Sequence, residues 1–325
     1  MEENIFNSRI DLSEVQNSID QVKTEMKKII VGQDAVIDQL LTALLADGHV
    51  LIEGVPGIAK TLIAKVISKT VSCGFSRIQF TPDLMPSDIL GTSVFNVKQS
   101  EFEFNRGPIF SNIILIDEIN RSPAKTQAAL FEVMEERQVT IDGTTYKMDE
   151  PFLVLATQNP VEHEGTYRLP EAQLDRFLFK VNMDYPNHEE EIKILLDLHG
   201  RKNVNDLSVI KPVLSKETLR KVREAVSSVH IEEKVAEYIS KIVQQTRKNS
   251  DLYLGASPRA SIAIMTGSKA MAAITGRDFV LPDDVRQISF PALRHRILLT
   301  PEKEMEGNTP DEIIKRIIDT VEVPK

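Results

Sequence analysis

The stretch Val50-Leu51-Ile52-Glu53-Gly54-Val55-Pro56-Gly57-Ile58-Ala59-Lys60-Thr61 holds residue types that can grip a polyphosphate. An apolar strand runs into a loop with glycine and proline, and Lys60-Thr61 opens the apolar helix Leu62–Ile67. Glycines let successive backbone N–H groups turn inward on phosphate oxygens, and the helix N-terminus adds partial positive charge. Lys60 can then reach the outer phosphates, and the Thr61 hydroxyl can ligate Mg²⁺. The usual spacing places a second glycine where Ala59 stands; alanine is admissible there if the backbone is already helical.

A second stretch, Ile113-Ile114-Leu115-Ile116-Asp117-Glu118, is a buried-strand run ending in two carboxylates. Ligands of open parallel sheets sit at the carboxyl ends of the strands, so this pair should share a crevice with Lys60. Asp117 suits the metal, and Glu118 suits activation of a water as general base. Ala156-Thr157-Gln158-Asn159-Pro160 ends another buried run, where Asn159 could sense the terminal phosphate. Two arginines complete the set. Arg259 follows Ser257, an N-cap by type, and Pro258. A cation in that first turn opposes the helix dipole unless an anion is held nearby, and a nucleotide phosphate would serve. Arg176 precedes the last strand run; for each arginine an ordinary surface ion pair is the alternative role.

These groups need a scaffold of strands and helices, and the hydrophobic pattern supplies one. Val15, Ile19, Val22, Met26 and Ile29 mark a first helix with Ser13 as N-cap, and Val36, Leu40, Leu41 and Leu44 mark a second. Apolar runs at His49–Ile52, Ile78–Phe80, Ile113–Ile116, Phe152–Ala156 and Phe177–Val181 read as strands buried on both faces, as in a parallel sheet between helices. Two stretches break the rhythm. Gly91–Ile109 reads as two short strands around Gln99-Ser100, and Val139–Met148 as a hairpin turning at Asp142-Gly143. After Tyr185-Pro186-Asn187 the strand signals stop. Helices follow at Glu189–Leu198, Glu217–Ser227, Glu232–Arg247, Pro258–Ile274 and around Ile314–Val321. The division is therefore an α/β domain over 1–186 and a helical domain over 187–325.

Composition narrows the function classes. The chain has 325 residues, 42% hydrophobic and 27% charged, and 39 Lys plus Arg against 48 Asp plus Glu gives a net charge of −9. That balance disfavours non-specific nucleic-acid binding, which runs on excess cation near phosphates. The single cysteine, Cys73, excludes an internal disulfide and fits a reducing, cytoplasmic compartment. No apolar stretch approaches the ~18 residues that span a bilayer, and the acidic start Met1-Glu2-Glu3-Asn4 is unlike a signal peptide. The six histidines are scattered, so a histidine metal site is not expected.

The order and wording of these motifs resemble the AAA+ ATPases, specifically their MoxR group. The closest stretches are Gly54 to Thr61; Ile116-Asp117-Glu118-Ile119-Asn120-Arg121 with Lys125-Thr126-Gln127; Ala156 to Pro160; Leu169 to Phe177; and Ser257-Pro258-Arg259. The likeness runs from about Val31 into the C-terminal helices and is most specific from Phe110 to Phe179. Ala59 departs from the general phosphate loop but not from this group. Arg168 departs from the group, whose members more often carry proline after Gly165-Thr166-Tyr167.

The resemblance implies an α/β AAA+ fold, an αβα sandwich on a parallel sheet of order 5-1-4-3-2, with a C-terminal all-helical lid domain. It implies ATP and Mg²⁺, with nucleotide contacts from Gly54, Val55, Pro56, Gly57, Ile58, Ala59, Lys60, Thr61 and Leu62, and an adenine pocket around Val31, Gly32 and Gln33. It implies a ring homo-oligomer, hexameric in form, with ATP between subunits. Lys60, Thr61, Asp117, Glu118, Asn159 and Arg259 would act in cis and Arg176 in trans as arginine finger, with Arg121 the second candidate for that role. The two interruptions correspond to the helix-2 insert and the pre-sensor-1 hairpin, which face the ring pore. Group members resemble chaperones, and the partner implied is a protein with a von Willebrand factor A domain. The expected function is thus a chaperone-like remodeller or maturation factor for protein complexes. A nucleic-acid motor and a non-hydrolysing nucleotide-gated scaffold are the alternatives. Lys98 and Arg106 against Glu101 and Glu103, and Lys147 against Asp142, make poor phosphate-tracking hairpins, and Glu118 would be superfluous in a dead ATPase.

Overall fold

The computed structural model describes residues 12–159, 167, 169–200 and 206–324. In chain order, α1 (Ser13–Met26) and α2 (Asp34–Leu45) precede β1 (Val50–Glu53) and α3 (Lys60–Thr70). Next come β2 (Phe75–Gln79), the short α4 (Pro86–Leu90), the pair β3 (Gly91–Asn96) and β4 (Glu101–Arg106), and β5 (Ile113–Asp117). Then follow α5 (Ala124–Glu136), the pair β6 (Gln138–Ile141) and β7 (Thr144–Lys147), β8 (Leu153–Gln158), α6 (Glu171–Leu174) and β9 (Phe179–Asn182). The remainder is α7 (His188–Gly200), α8 (Lys216–Ser227), α9 (Glu233–Lys248), β10 (Leu252–Leu254), α10 (Pro258–Ile274), α11 (Pro282–Leu293), β11 (Leu298–Leu299), α12 (Pro301–Met305) and α13 (Pro310–Thr320).

The central sheet has the order β2-β5-β8-β1-β9 and every pairing in it is parallel. Numbered among themselves along the chain, its strands stand 5-1-4-3-2 from the β9 edge, as the resemblance implies. All five residues of β5, and all of β8 but the last, are buried, because helices cover both faces. On one face lies the apolar cluster of Leu51, Ile114, Ile116, Leu130, Phe131 and Phe177; on the other, α1, α2 and α3 pack with Ile52, Leu115 and Val181. That second cluster continues into α8–α11 and α13, so one core crosses the link between β9 and α7 near residue 186. The edge strand β2 is different: only Ile78 is buried along it, and Arg77 and Gln79 alternate onto one side of the strand.

Both interruptions are antiparallel hairpins. β3 pairs with β4 in unbroken register, and β6–β7 turns at Asp142-Gly143, where both residues have positive φ (50° and 78°), as a type I′ turn requires. Aromatic stacking joins them, with Phe104 and Tyr146 at 4.6 Å between ring centroids.

Several expectations are corrected. The residue before α1 is Leu12, and Ser13 is already helical, so Ser13 is not the N-cap. The helical region also carries a small strand pair, β10–β11. Its residues alternate too briefly to leave a strand signal, and it is held by tertiary contact. Besides the short α4, α6 and α12, the pattern did not mark α5 and α11; polar residues buried on them, Thr126 and Gln127 on α5 and Asp284 on α11, blur their apolar stripes.

Two buried histidines tie this frame together. His49 accepts from the Val154 N–H at 3.0 Å through Nδ1 and meets the Met134 carbonyl at 3.2 Å through Nε2. His295 meets the Phe177 carbonyl through Nε2 at 3.0 Å. Burial pushes the His49 pKa down to about 3 and that of His295 well below its ordinary value. A depressed histidine pKa means the unfolded chain binds a proton that the folded chain refuses. Stability is therefore full above the unfolded pKa near 6.5 and falls as pH drops toward 3, by about 1.4 kcal/mol per pH unit per histidine. Urea unfolding from pH 7.5 to 4.5 should show this slope, and His49→Gln should make it shallower by one proton. An unchanged slope in that variant would remove His49 from the account.

Candidate functional site

The parallel register sets the ends of β1, β2, β5 and β8 along one edge. Gln79 pairs with Asp117 and Glu53 with Gln158, so the loops that leave these strands open on a common cleft. Two adjoining cavities share Pro56, Gly57, Ala59 and Leu62. One, of about 450 Å³, is lined by Lys60, Thr61, Lys65, Arg77, Gln79, Asp117, Glu118, Thr157 and Asn159. The other, of about 400 Å³, is apolar and lined by Ile29, Ile30, Val31, Gln33, Ile58, Tyr185, Pro186, Ile194 and Leu198 among others. A charged chamber opening into an apolar one of this size suits a ligand with a polyanionic tail and a flat apolar head.

The loop from β1 to α3 wraps Lys60, whose Nζ donates to the Gly54 carbonyl at 2.7 Å. Gly57 has φ +87° with open space where a Cβ would stand, so its backbone can face a bulky anion. Ala59 also lies in the left-handed region (φ 68°, ψ 21°), as the residue that caps α3. The condition under which alanine fits easily here, a backbone already helical, is thus not met. The position does require the glycine-like conformation, and an L-residue holds it at a cost of about 1–2 kcal/mol.

The carboxylates are held from the edge strand. Asp117 is buried and accepts from Arg77 Nε at 2.6 Å and from Thr157 Oγ1 at 3.2 Å. Glu118 has positive φ (57°), and its N–H donates to Thr157 Oγ1 at 3.0 Å. That carboxylate accepts from Gln79 Nε2 at 2.9 Å and pairs with Arg121 Nε at 3.2 Å. Asn159 is buried beside them. Thr61 and Asp117 offer one hydroxyl and one carboxylate, the sparse donor set that suits Mg²⁺, which keeps waters and takes its other ligands from substrate phosphates.

The adenine-pocket expectation divides. Val31 and Gln33 line the apolar chamber, and Gln33 donates to the Asp184 carbonyl at 2.8 Å, fastening the start of α2 to the link before α7. Gly32, between them, instead packs where a Cβ would meet the Glu190 carboxyl at 2.6 Å. The two distant arginines do not reach this cleft. Arg259 and Arg176 line neither chamber, and both pair with Glu135 near the end of α5, at 2.9 Å and 3.5 Å. The anion that offsets the helix dipole at Arg259 is thus a carboxylate of the chain itself. Arg121, by contrast, stands beside Glu118 of its own chain. Pro160, Gly165, Thr166 and Arg168 lie outside the described residues.

Sequence reasoning missed Arg77, Gln79 and Thr157 in the charged chamber and Tyr185, Ile194 and Leu198 in the apolar one. The alternation Phe75-Ser76-Arg77-Ile78-Gln79 was the available signal for the first two, since i and i+2 on a strand share a side. Nothing in the sequence brings α7 over the loop.

This arrangement has close counterparts. Residues 49–179 match the model of the ATPase family associated with various cellular activities (AAA), and residues 244–317 match the AAA lid domain. An uncharacterized Bacillus subtilis protein, YeaC, is 46% identical over 92% of this chain and 92% of its own. Chaperone MoxR1 of Mycobacterium tuberculosis is 44% identical over 95% of this chain and 83% of its own. The crystal structure of a candidate ATPase from Cytophaga hutchinsonii is 44% identical, with a TM-score of 0.89 over 97% of both chains. The chain belongs to the AAA+ ATPases, in their MoxR group. It is accordingly a nucleotide-binding ATP hydrolase with a helical AAA lid. Among the described residues, no helix is long and apolar enough to cross a membrane.

The strain at Ala59 can be measured. Ala59→Gly should raise stability by about 1 kcal/mol, read as a shift in the urea midpoint, without weakening ATP binding. A loss of stability would mean that the left-handed backbone there carries no cost.

Proposed function

We propose that this ATPase works with Mg²⁺ as a ring-forming, chaperone-like remodeller or maturation factor for protein complexes, hexameric in its assembled state. In this reading residues 1–186 carry the nucleotide and 187–325 form the lid. The observation that carries it is the division of polar groups. Lys60, Thr61, Asp117, Glu118 and Asn159 gather on one cleft, whereas Arg176 and Arg259 meet elsewhere on the chain. The cleft of a single copy therefore holds the means to bind a triphosphate and activate water, while the copy's own two arginines stand outside it. A second copy in a ring can supply them, so we assign Arg259 to the neighbour's nucleotide together with Arg176, in place of the cis role first expected.

In hydrolysis, Glu118 takes a proton from the attacking water as its oxygen bonds to the γ-phosphorus, and the bond to the β-phosphate oxygen breaks. Gln79 and Arg121 hold the Glu118 carboxylate until a nucleotide arrives. Asp117, fixed by Arg77 and Thr157, and the Thr61 hydroxyl would hold Mg²⁺, which when bound neutralises charge on the phosphate oxygens. Lys60 presents its ammonium beside Gly54, and Asn159 orients the terminal phosphate or the water.

Action on proteins is supported by the name of the relative MoxR1 and by the first hairpin. Phe95 and Phe102 are exposed there and meet edge to face at 5.2 Å between centroids, an apolar surface suited to polypeptide. Arg106 lies over the rings of Phe110 and Tyr146, and is thereby drawn away from phosphate contact. A partner with a von Willebrand factor A domain and a cytoplasmic location belong to the same proposal.

Three measurements bear on it. Lys60→Ala should abolish nucleotide binding in calorimetry, and retained affinity would remove the phosphate-loop assignment. Glu118→Gln should bind ATP yet hydrolyse it at least ~10²-fold more slowly, and should trap a ring on a sizing column with ATP. A variant that stays monomeric with saturating ATP would sink the ring.

A further inference from the structure

Glu135 stands near the C-terminal end of α5 with one guanidinium on each carboxylate oxygen. Arg259 Nη2 is 2.9 Å from Oε1, and Arg176 Nε is 3.5 Å from Oε2. The three residues come from three elements: α5, the turn between α6 and β9, and the first turn of α10. Arg176 Nε is buried and makes no hydrogen bond among the described residues, so the carboxylate steers it without satisfying it. Arg176 also donates to the Ala172 carbonyl at 3.3 Å through Nη1.

The backbone beneath the pair is fastened by the adjacent residue. Asp175 accepts from the Ser257 hydroxyl at 2.8 Å and from Arg296 Nε at 2.6 Å. Arg296 is itself buried and donates to the Phe177 carbonyl at 2.6 Å. Ser257 caps α10 by accepting the Arg259 N–H at 3.2 Å. The turn that carries Arg176 and the helix start that carries Arg259 are therefore one rigid corner. What the corner leaves for Glu135 to order is the pair of long side chains, which repel each other and lose several rotors' freedom when ordered.

We propose that Glu135 is a positioning residue that presets Arg176 and Arg259 as a two-arginine clamp for the terminal phosphates of ATP bound to a second copy of this chain. The inference rests on the ring reading above, in which both arginines act on the neighbour. A single carboxylate cannot fully neutralise two guanidiniums, so the pair keeps affinity for a further anion while its geometry is set in advance. Preset donors aimed at developing charge need no rearrangement during the reaction, and that is where the rate advantage lies.

The test uses the assembled ATPase and four variants, Glu135→Ala, Glu135→Asp, Arg176→Ala and the double variant of Glu135→Ala with Arg176→Ala. Glu135→Ala should lower kcat between about tenfold and a hundredfold, with ATP affinity in the Lys60 cleft and ring size unchanged. Glu135→Asp should recover part of the rate. In the Arg176→Ala background, Glu135→Ala should cost little more, because the group it positions is gone. Equal losses in both backgrounds, or a faster Glu135→Ala enzyme, would overturn the assignment. Mixing Lys60→Ala with Arg176→Ala protein separates this outcome from the parent reading. Failure to regain activity on mixing defeats action in trans. Regained activity with additive Glu135 losses defeats only the role of Glu135.

Discussion

The parallel register of five strands is the constraint on which the chemistry depends. It ends β1, β5 and β8 at Glu53, Asp117 and Gln158 along one rim, with the edge strand β2 ending level with Asp117. A shift of that register would carry Lys60 away from Asp117 and dissolve the cleft. The strands can hold it because β5 and β8 are buried on both faces, where slippage would break hydrogen bonds with no water to replace them.

A second regularity is that each site carboxylate is held by partners from another element. Arg77 grips Asp117, Gln79 and Arg121 grip Glu118, Arg296 grips Asp175, and two arginines share Glu135. Such pairs contribute little net stability when exposed. Their value is orientation: Asp117, Asp175 and Glu135 are fixed at both oxygens and Glu118 twice at Oε2, so each presents known lone pairs. The edge strand β2, too polar to be core, acts as the support of the acidic pair. The left-handed residues Ala59 and Glu118 sit at the two turns facing the ligand chamber, where strain is retained because the surrounding sheet fixes both ends of each turn.

Local sequence was sufficient wherever the signal lies within a few residues. The phosphate loop, the acidic pair, the Asp142-Gly143 hairpin and the bounds of α10 follow from spacing and residue type. The apolar runs place all five sheet strands to within a few residues, and family resemblance supplied their order. The scheme faltered where burial is shared with polar groups. α5 and α11 bury threonine, glutamine and aspartate among their apolar residues, and β10–β11 is too short to alternate. The left-handed backbone of Ala59 was not legible, because alanine as a residue type suggests a right-handed conformation but does not impose it.

By itself, then, the sequence determined what chemistry the chain carries: a lysine and threonine after a glycine loop, two adjacent acids after a buried strand, an amide beyond. Those depend on contiguous residues and on local backbone geometry. The tertiary structure alone decided which groups share a cleft. It put Arg77 and Gln79 beneath the acids, laid α7 over the apolar chamber, and drew Arg176 and Arg259 onto Glu135 instead of the phosphate loop. The reason is distance along the chain: side chains such as these, 39 to 124 positions from their partners, meet only through packing, which no local pattern encodes.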